Sequence, residues 1–318
     1  MSGFTSSAND WPALRVAEWE PTRVTLHLFT QIVGKVRLAC APMVNHWWQV
    51  TLYMSPRGLT TGTVPYRGRS FEVEFDFIDH VLRIRSSDGG ARDIALAGLR
   101  VADFHRATLD ALGGIGVGVS IQATPNEVDP AVPFATDTEH GAYDPDAVHR
   151  FWLQLIHADR LLNRFRTYFR GKVSPVHYFW GGMDICCTRF SGRTAPVHPG
   201  GAPNCADWVM VEGYSHEVSS SGFWPGGGEE GAFYSYAYPQ PEGYADYPIG
   251  VPHAYFSQEA GNFLLPYEAV RQSANPDEMV HQFLQGTYRA AADLADWDRA
   301  ALEVDPARWN SMSRYPFS

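Results

Sequence analysis

The stretch from Ser174 to Arg193, SPVHYFWGGMDICCTRFSGR, constrains the fold more than any other part of this chain. Its aromatic and branched residues predict a strand buried in the interior. The same stretch carries His177, Asp184 and Arg189, and an interior polar group without a partner costs about 1–3 kcal/mol. The fold must therefore supply partners for an imidazole, a carboxylate and a guanidinium inside its core.

Charge and hydropathy exclude several classes of partner. The chain of 318 residues has a formal net charge of −10 and no run of Lys or Arg, which argues against nucleic acid. No stretch approaches the roughly 18 apolar residues of a membrane-spanning helix, so we expect no membrane association. The four cysteines lack CxxC spacing and the first residues do not resemble a signal peptide. We therefore expect a reduced protein with cytoplasmic localisation.

Hydrophobic periodicity predicts an α+β fold. Apolar stripes of helical period follow Pro21, Val101, Pro145 and Pro276. Between these helices lie runs of aromatic and β-branched residues that predict antiparallel strands. One such run, NHWWQVTLYM, follows the first helix, and we expect it to enter a strand at His46.

The two halves of the chain resemble each other. A predicted helix ends in a Gly-Lys pair at Lys35 and again at Lys172. In each half a histidine followed by two aromatic residues then begins a predicted strand, at His46 and at His177. The alternative to a duplication is chance similarity between two α+β stretches.

A duplication also predicts a domain organisation. We expect two pseudo-repeated halves, each with a helix, antiparallel β-strands and a second helix, packed as one unit. The N-terminal α+β half takes residues 1–124, a Pro-rich and acidic connector takes 125–143, and the C-terminal half takes 144–318. The cleft between two such halves is the natural place for a pocket.

His177 and Asp184 form the first candidate pair. Gly181 and Gly182 interrupt the strand between them, and glycine in a strand often marks a bulge that changes which face a side chain takes. A His–Asp pair would fix the imidazole tautomer or bind a metal ion jointly. The alternative is a core histidine bonded to the backbone, with Asp184 paired to Arg189.

His216 and Glu217 add a second imidazole and a second carboxylate. The residue four positions after His216 is Ser220, so the HExxH motif of zinc peptidases is absent. A site of two histidines and one carboxylate suits zinc or iron. We therefore take His177, His216 and Glu217 as candidate ligands of a divalent metal ion. The same three residues and Asp184 are candidate catalytic residues.

Arg189 completes the set of candidate catalytic residues as an anchor for the substrate. An arginine at the end of a buried strand is suited to a carboxylate or phosphate group, and an internal salt bridge is the alternative. Lys35 and Lys172, with Arg57 and Arg193, are the other basic groups nearest the predicted cleft.

Nucleophilic and nucleotide-binding chemistry have less support in the sequence. Cys186 or Cys187 beside a histidine could act as a thiolate, but a cysteine in so apolar a strand is more often inert. No GxSxG motif occurs, which removes the nucleophile elbow of a serine hydrolase. The sequence GGIGVG follows a helix instead of opening one, so it is not a dinucleotide fingerprint.

Four blocks of the sequence are similar to a known family. They are NHWWQVTLYMSPRGLTT, HYFWGGMDICCTRFSGR, YSHEVSSSGFWPGG and AFYSYAYPQP. Together they resemble a bacterial family of proteins of unknown function, number 5996 in that series, over roughly residues 10 to 297. The resemblance implies a stand-alone protein of this length and no activity, cofactor or site residue.

The sequence thus favours an enzyme that acts on a small polar or anionic molecule in an aromatic-lined cleft. Metal assistance through the histidines is part of that hypothesis. A non-catalytic protein that binds or senses a small molecule would use the same rings and arginines. A structural protein with a satisfied buried polar network is the third interpretation.

Overall fold

The computed structural model describes residues 11–304, and within this range the fold is α+β. The predicted halves also include residues 1–10 and 305–318, which lie outside the described range. The α-helices of the described range are α1 (Val16–Cys40), α2 (Val101–Gly114), α3 (Pro145–Arg166), α4 (Asp207–Gly213), α5 (Tyr267–Gln272), α6 (Pro276–Leu294) and α7 (Arg299–Leu302).

Two antiparallel sheets follow one another along the chain. The first has the order β1-β2-β4-β5-β6, with β3 paired to β4, and the second has the order β11-β12-β10-β9-β8-β7. The strands of the first are β1 (Tyr53–Ser55), β2 (Gly58–Thr60), β3 (Val64–Tyr66), β4 (Arg69–Asp76), β5 (Val81–Ser86) and β6 (Ala91–Ala95). Those of the second are β7 (His177–Phe179), β8 (Asp184–Thr194), β9 (His216–Trp224), β10 (Ala232–Tyr238), β11 (Tyr255–Ser257) and β12 (Asn262–Pro266).

The starts of α3 and α6 agree with the capping signals in the sequence. The Asp144 carboxylate accepts hydrogen bonds from the backbone N–H groups of Asp146 and Ala147 at the start of α3. The Asn275 side chain accepts one from the Glu278 N–H at the start of α6. In both helices a proline occupies the first turn, where its missing N–H leaves no hydrogen bond unmade.

The prediction of a strand starting at His46 is wrong. Asn45–Trp47 forms a 3₁₀ turn in which His46 and Trp47 have φ angles of 57° and 62°. The Glu212 carboxylate accepts the His46 N–H at 3.0 Å. This contact holds a left-handed backbone that a histidine rarely adopts, so tertiary structure overrides strand propensity here.

The two sheets meet at one point that brings the halves of the chain together. Leu52, just before β1, and Tyr178 on β7 exchange two backbone hydrogen bonds of 2.9 and 2.8 Å. The second sheet packs one face against α3 and α6, where Ile185, Cys187 and Phe223 are buried. Its opposite face forms the floor of a cavity. No described helix is long and apolar enough to span a bilayer.

Candidate functional site

A cavity of about 530 Å³ lies over the second sheet. Alternate residues of β8, namely Asp184, Cys186, Thr188 and Phe190, line its floor because successive side chains of a strand point to opposite faces. Aromatic side chains dominate the remaining wall, including Trp48, Phe179, Trp180, Tyr214, Tyr234 and Tyr236. The cavity therefore offers flat apolar surfaces with a few polar groups between them, which is typical of small-molecule sites.

Asp184 is the acidic group on the cavity floor, at the first residue of β8. The hairpin between β7 and β8 pairs Asp184 with Phe179 and Cys186 with His177. The Tyr234 hydroxyl donates a hydrogen bond to the Asp184 carboxylate. No described cation pairs with this carboxylate, and burial raises its pKa to about 6, against the opposing effect of the tyrosine hydrogen bond.

Glu127 supplies a second carboxylate from the segment between the two halves. Its backbone has a φ of 57°, and its N–H donates to the Pro203 carbonyl at 2.8 Å. The carboxylate lies over Gly181, where an added Cβ would come within 2.1 Å of its Oε1 atom. A side chain at residue 181 would displace this carboxylate, so the close approach of Glu127 explains the glycine at that position.

The carboxylates of Glu127 and Asp184 lie near each other. Oxygens of the two come within 3.9 and 2.8 Å of the position that a Cβ on Gly182 would occupy. Glu127 lies on the cavity wall and is exposed to solvent. Partial desolvation by the surrounding atoms and repulsion from Asp184 raise the pKa of Glu127 to about 7. The cavity thus holds two carboxyl groups that change protonation between about pH 6 and pH 7.

Three polar residues on one stripe of α1 hold this wall in place. His27, Gln31 and Lys35 are spaced four apart and so share a face of the helix. The His27 Nε2–H donates to the carbonyls of Trp180 and Gly181 at 3.0 and 2.8 Å. Gln31 exchanges two hydrogen bonds of 2.8 Å with the backbone of Asn126. Helix α1 therefore fixes both the glycine turn and the loop that carries Glu127.

Lys35 is the third charged group of the cavity. Its side chain is 5% exposed, and its ammonium donates to Oδ1 of Asn126 and, at 3.4 Å, to Oε1 of Gln122. The nitrogen lies 5.8 Å from the centre of a Trp180 ring. Burial lowers the pKa of Lys35 to about 8.

His46 and Lys172 form one rim of the cavity. The Nδ1–H of His46 donates to the Gly213 carbonyl at 3.1 Å, and its Nε2 accepts from the Lys172 ammonium at 2.7 Å. These two contacts define a neutral imidazole with its proton on Nδ1. His216 lies on the same side, with its ring 5.6 Å from that of His46.

Of the residues predicted from the sequence, Asp184 lines the cavity. His177 lies on the same face of the sheet, opposite Cys186, but is not part of the cavity lining. The His177 side chain is 1% exposed and is surrounded by the rings of Trp48, Tyr53 and Phe179. Neither ring nitrogen has a hydrogen-bond partner among the described residues. Burial, with repulsion from arginines, lowers the pKa of His177 to about 3, so the imidazole is neutral.

Arg189 and Glu217 lie on the face of the sheet that is away from the cavity. Arg189 is fully buried against α3, with its guanidinium carbon 3.4 Å from the centre of the Phe165 ring and its Nη2 donating to the Phe165 carbonyl. Glu217 forms an ion pair of 2.7 Å with Arg193. Because strand neighbours alternate between faces, Glu217 cannot share a site with His216.

The structure does not bring the predicted metal ligands together. His177 is opposite Cys186, which pairs with Gly222, whereas His216 lies six residues earlier on β9, roughly 20 Å along the strand. No group of three or more His, Cys, Asp and Glu residues within 11–304 is arranged to hold a metal ion. The charged residues that line the cavity are instead Asp184, Glu127 and Lys35, and none of His177, His216 and Glu217 is among its lining residues.

Sequence reasoning missed Glu127 and the role of α1. Glu127 falls in the stretch assigned as a connector, where an acidic residue has no periodic pattern to mark it. The sequence did contain a signal for α1, because His27, Gln31 and Lys35 recur every four residues among the buried residues at the centre of the helix.

Comparison with known proteins gives a family and no activity. No curated protein and no solved structure matches the chain. One family model, described as a family of unknown function (DUF5996), matches residues 11–304. The chain, which carries a glycine-backed pair of carboxyl groups in an aromatic cavity, belongs to this family.

Proposed function

We propose that this protein is an enzyme that performs acid–base chemistry on a small polar molecule bound in the cavity. The supporting observation is the pair of carboxyl groups on Glu127 and Asp184, which lie close together without a neutralising cation among the described residues. Perturbed carboxyl groups in a pocket are characteristic of catalytic sites.

The pair supplies an acid and a base at the same pH. With pKa values of about 6 and 7, Asp184 is mainly ionised at neutral pH while Glu127 is about half protonated. Asp184 then takes a proton from the substrate, and the Tyr234 hydroxyl holds its carboxylate in position. Glu127 donates a proton to the group that leaves or gains negative charge.

The walls select the shape of the substrate. The rings of Trp180 and Tyr236 favour a planar or hydrocarbon face, because aromatic contact adds about 0.5–1.5 kcal/mol beyond burial of area. Lys35 supplies a positive charge for a polar or anionic group of the substrate. The cavity of about 530 Å³ fits a small metabolite and excludes a folded macromolecule.

A screen combined with a carboxyl titration tests this function. Carbon-13 NMR of labelled Asp and Glu, assigned with Asp184→Asn and Glu127→Gln, should show two carboxyl groups that titrate near pH 6 and pH 7. A library of small polar metabolites should give ligands that raise the Tm of the wild type, and any turnover should fall at least about a hundredfold in either variant.

Glu217→Gln is the matched control, because it removes a carboxylate on the face away from the cavity. It should leave ligand binding and turnover unchanged. Titration of both cavity carboxyls near pH 4 would contradict the acid–base proposal. Ligands that bind without being converted would favour the non-catalytic binding or sensor function instead.

We also propose that the two halves arose by duplication and that the protein acts in the cytoplasm. The order of elements supports the first point, since α1, a six-stranded antiparallel sheet and α2 are followed by α3, a second six-stranded sheet and α6. Superposition of the two halves tests the duplication, which requires their strands to align in the same order and direction.

A further inference from the structure

Lysine is rare in this chain and concentrated at the cavity. Only two of its 25 Lys and Arg residues are lysines, Lys35 and Lys172. Lys35 lies in the cavity wall, and Lys172 bonds to His46 at the rim. Elsewhere the chain meets its need for positive charge with arginine. An arginine at residue 35 would keep a charge but could not become a neutral amine, because its pKa is above 12.

The surroundings of Lys35 hold its nitrogen without neutralising it. Its two hydrogen-bond acceptors, on Asn126 and Gln122, are uncharged amides. No described carboxylate lies within ion-pair distance of this nitrogen. Burial opposes the charged form and outweighs the opposing effect of the Cys205 thiol. With a pKa of about 8, roughly a tenth of the side chain is neutral amine at pH 7.

We propose that Lys35 is a nucleophilic amine that forms an imine with the carbonyl carbon of an aldehyde or ketone substrate bound in the cavity. This inference rests on the proposed function and names the substrate class of the same site. It assigns the proton transfers to Glu127, which lines the same cavity as Lys35.

The covalent step balances with the groups present. The lone pair of Nζ forms a bond to the carbonyl carbon while the C=O π electrons pass to oxygen, which takes a proton from Glu127. The nitrogen returns one proton to Glu127, giving a carbinolamine. Glu127 then protonates the hydroxyl group, which leaves as water while the nitrogen lone pair forms the C=N bond. The Glu127 carboxylate then takes the iminium proton to give the imine, and hydrolysis reverses the sequence.

Reductive trapping tests the proposal. The folded protein is incubated at pH 7 with sodium cyanoborohydride and either benzaldehyde, an aromatic aldehyde, or pyruvate, a small anionic ketone. Peptide mass mapping then follows alkylation at Lys35, at Lys172 and at the α-amino group. With at least one probe, Lys35 should react at least about tenfold faster than Lys172, although it is the more buried of the two.

Variants and unfolded protein complete the test. Glu127→Gln should slow labelling of Lys35 at least about tenfold and leave Lys172 unchanged, whereas Glu217→Gln should change neither. The same protein in urea should lose the preference for Lys35. If the folded protein labels Lys172 while Lys35 reacts no faster than it with both probes, and urea exposes Lys35 to labelling, the proposal is overturned.

Failure of this inference is distinguishable from failure of the proposed function. Carboxyl titrations near pH 6 and pH 7 with no trapping at Lys35 would retain acid–base chemistry and remove the imine. Titrations near pH 4 with rapid trapping at Lys35 would remove the acid–base pair and retain the amine, with another proton donor.

Discussion

Each sheet contains an aspartate within its core or its cavity, Asp76 fully buried and Asp184 half-buried, and the two have opposite surroundings. Asp76, at the end of β4, accepts hydrogen bonds from Arg57 and Arg83 and from two backbone N–H groups. Burial alone would raise its pKa, but these donors outweigh burial and hold the pKa well below its usual range. Within residues 11–304, Asp184 has only Tyr234 as a side-chain partner, and its pKa rises to about 6.

The difference separates a structural carboxylate from the one that we propose to be functional. Around Asp76 the chain supplies positive charge and donors, so the ionised form stabilises the sheet. Around Asp184 the chain leaves the charge without a cation and leaves an open cavity beside it. An ionised group without compensation destabilises the fold. Such a group is therefore expected to persist where function requires it, which is why such groups mark active sites. Three predictions test this distinction.

The largest difference is expected between the two Asp→Asn variants. Asp76→Asn leaves Arg57 and Arg83 without their shared carboxylate and should lower the free energy of unfolding by about 3 kcal/mol. Asp184→Asn keeps an acceptor for Tyr234 and removes an uncompensated charge, so at pH 7 it should raise that free energy by about 2 kcal/mol. Urea unfolding at pH 7 measures both. Equal losses would remove the distinction between the two aspartates.

The pH dependence should differ in sign between the two sites. The folded-state pKa of Asp184 is raised to about 6, so the folded state binds a proton that the unfolded state has lost above about pH 4. This group therefore lowers stability by about 2 kcal/mol as pH rises from 4 to 7. The depressed pKa of Asp76 gives stability that is present above pH 4 and lost only below it.

Unfolding free energies of wild type and Asp184→Asn between pH 4 and pH 7 measure this effect. The wild type should lose stability relative to the variant across that range. Parallel curves would show that Asp184 titrates normally and lies in a solvated environment.

The smallest expected difference in stability is between alanine variants of two glycines, Gly58 in the first sheet and Gly181 in the β7–β8 hairpin of the second. A Cβ on Gly58 would lie 2.0 Å from the backbone oxygen of Phe75, which the β2–β4 pairing holds in place. Gly58→Ala should therefore lower stability by about 1–2 kcal/mol. A Cβ on Gly181 would meet only the end of the Glu127 side chain, which can rotate away. Gly181→Ala should change stability by less than about 1 kcal/mol.

For ligand binding we expect the opposite order, with the larger loss in Gly181→Ala and little or no loss in Gly58→Ala. Gly181→Ala displaces the Glu127 carboxylate and should abolish binding of the metabolites identified with the wild type. Gly58→Ala lies in the other sheet and should leave that binding unchanged in the folded fraction. Thermal unfolding and calorimetric titration measure the two properties. Full ligand binding by Gly181→Ala would show that Glu127 does not contribute to the site.

Local patterns in the sequence were sufficient for much of the fold. The caps at Asp144 and Asn275 and the apolar stripes behind them fixed two long helices, because cap and stripe are properties of neighbouring residues. Helix α1 instead begins at Val16, five residues before Pro21, and it continues through the proline although the missing N–H removes the bond to the Ala17 carbonyl. The left-handed turn at His46 could not be predicted, since residue 212 determines it.

The site was only partly accessible to sequence reasoning for the same reason. Asp184 was found because a charged residue within an apolar strand is conspicuous. Arg189 shares that property, yet it lies on the helix-facing side of β8, and only the register between strands decides which face is which. Glu127 approaches Asp184 through a loop whose path depends on bonds to Gln31 and Pro203, far away in sequence.

The loop that carries Glu127 is held at both ends by distant parts of the chain. Asn126 donates from its side chain to the Asn204 carbonyl, and Asn204 donates in return to the Val128 carbonyl, each at 2.7 Å. Irregular surface segments are where insertions and deletions ordinarily accumulate. Here a length change of one residue would move the Glu127 carboxylate relative to Asp184. If Glu127 is the acid that we propose, natural selection would therefore act on the spacing of this loop as strongly as on its composition.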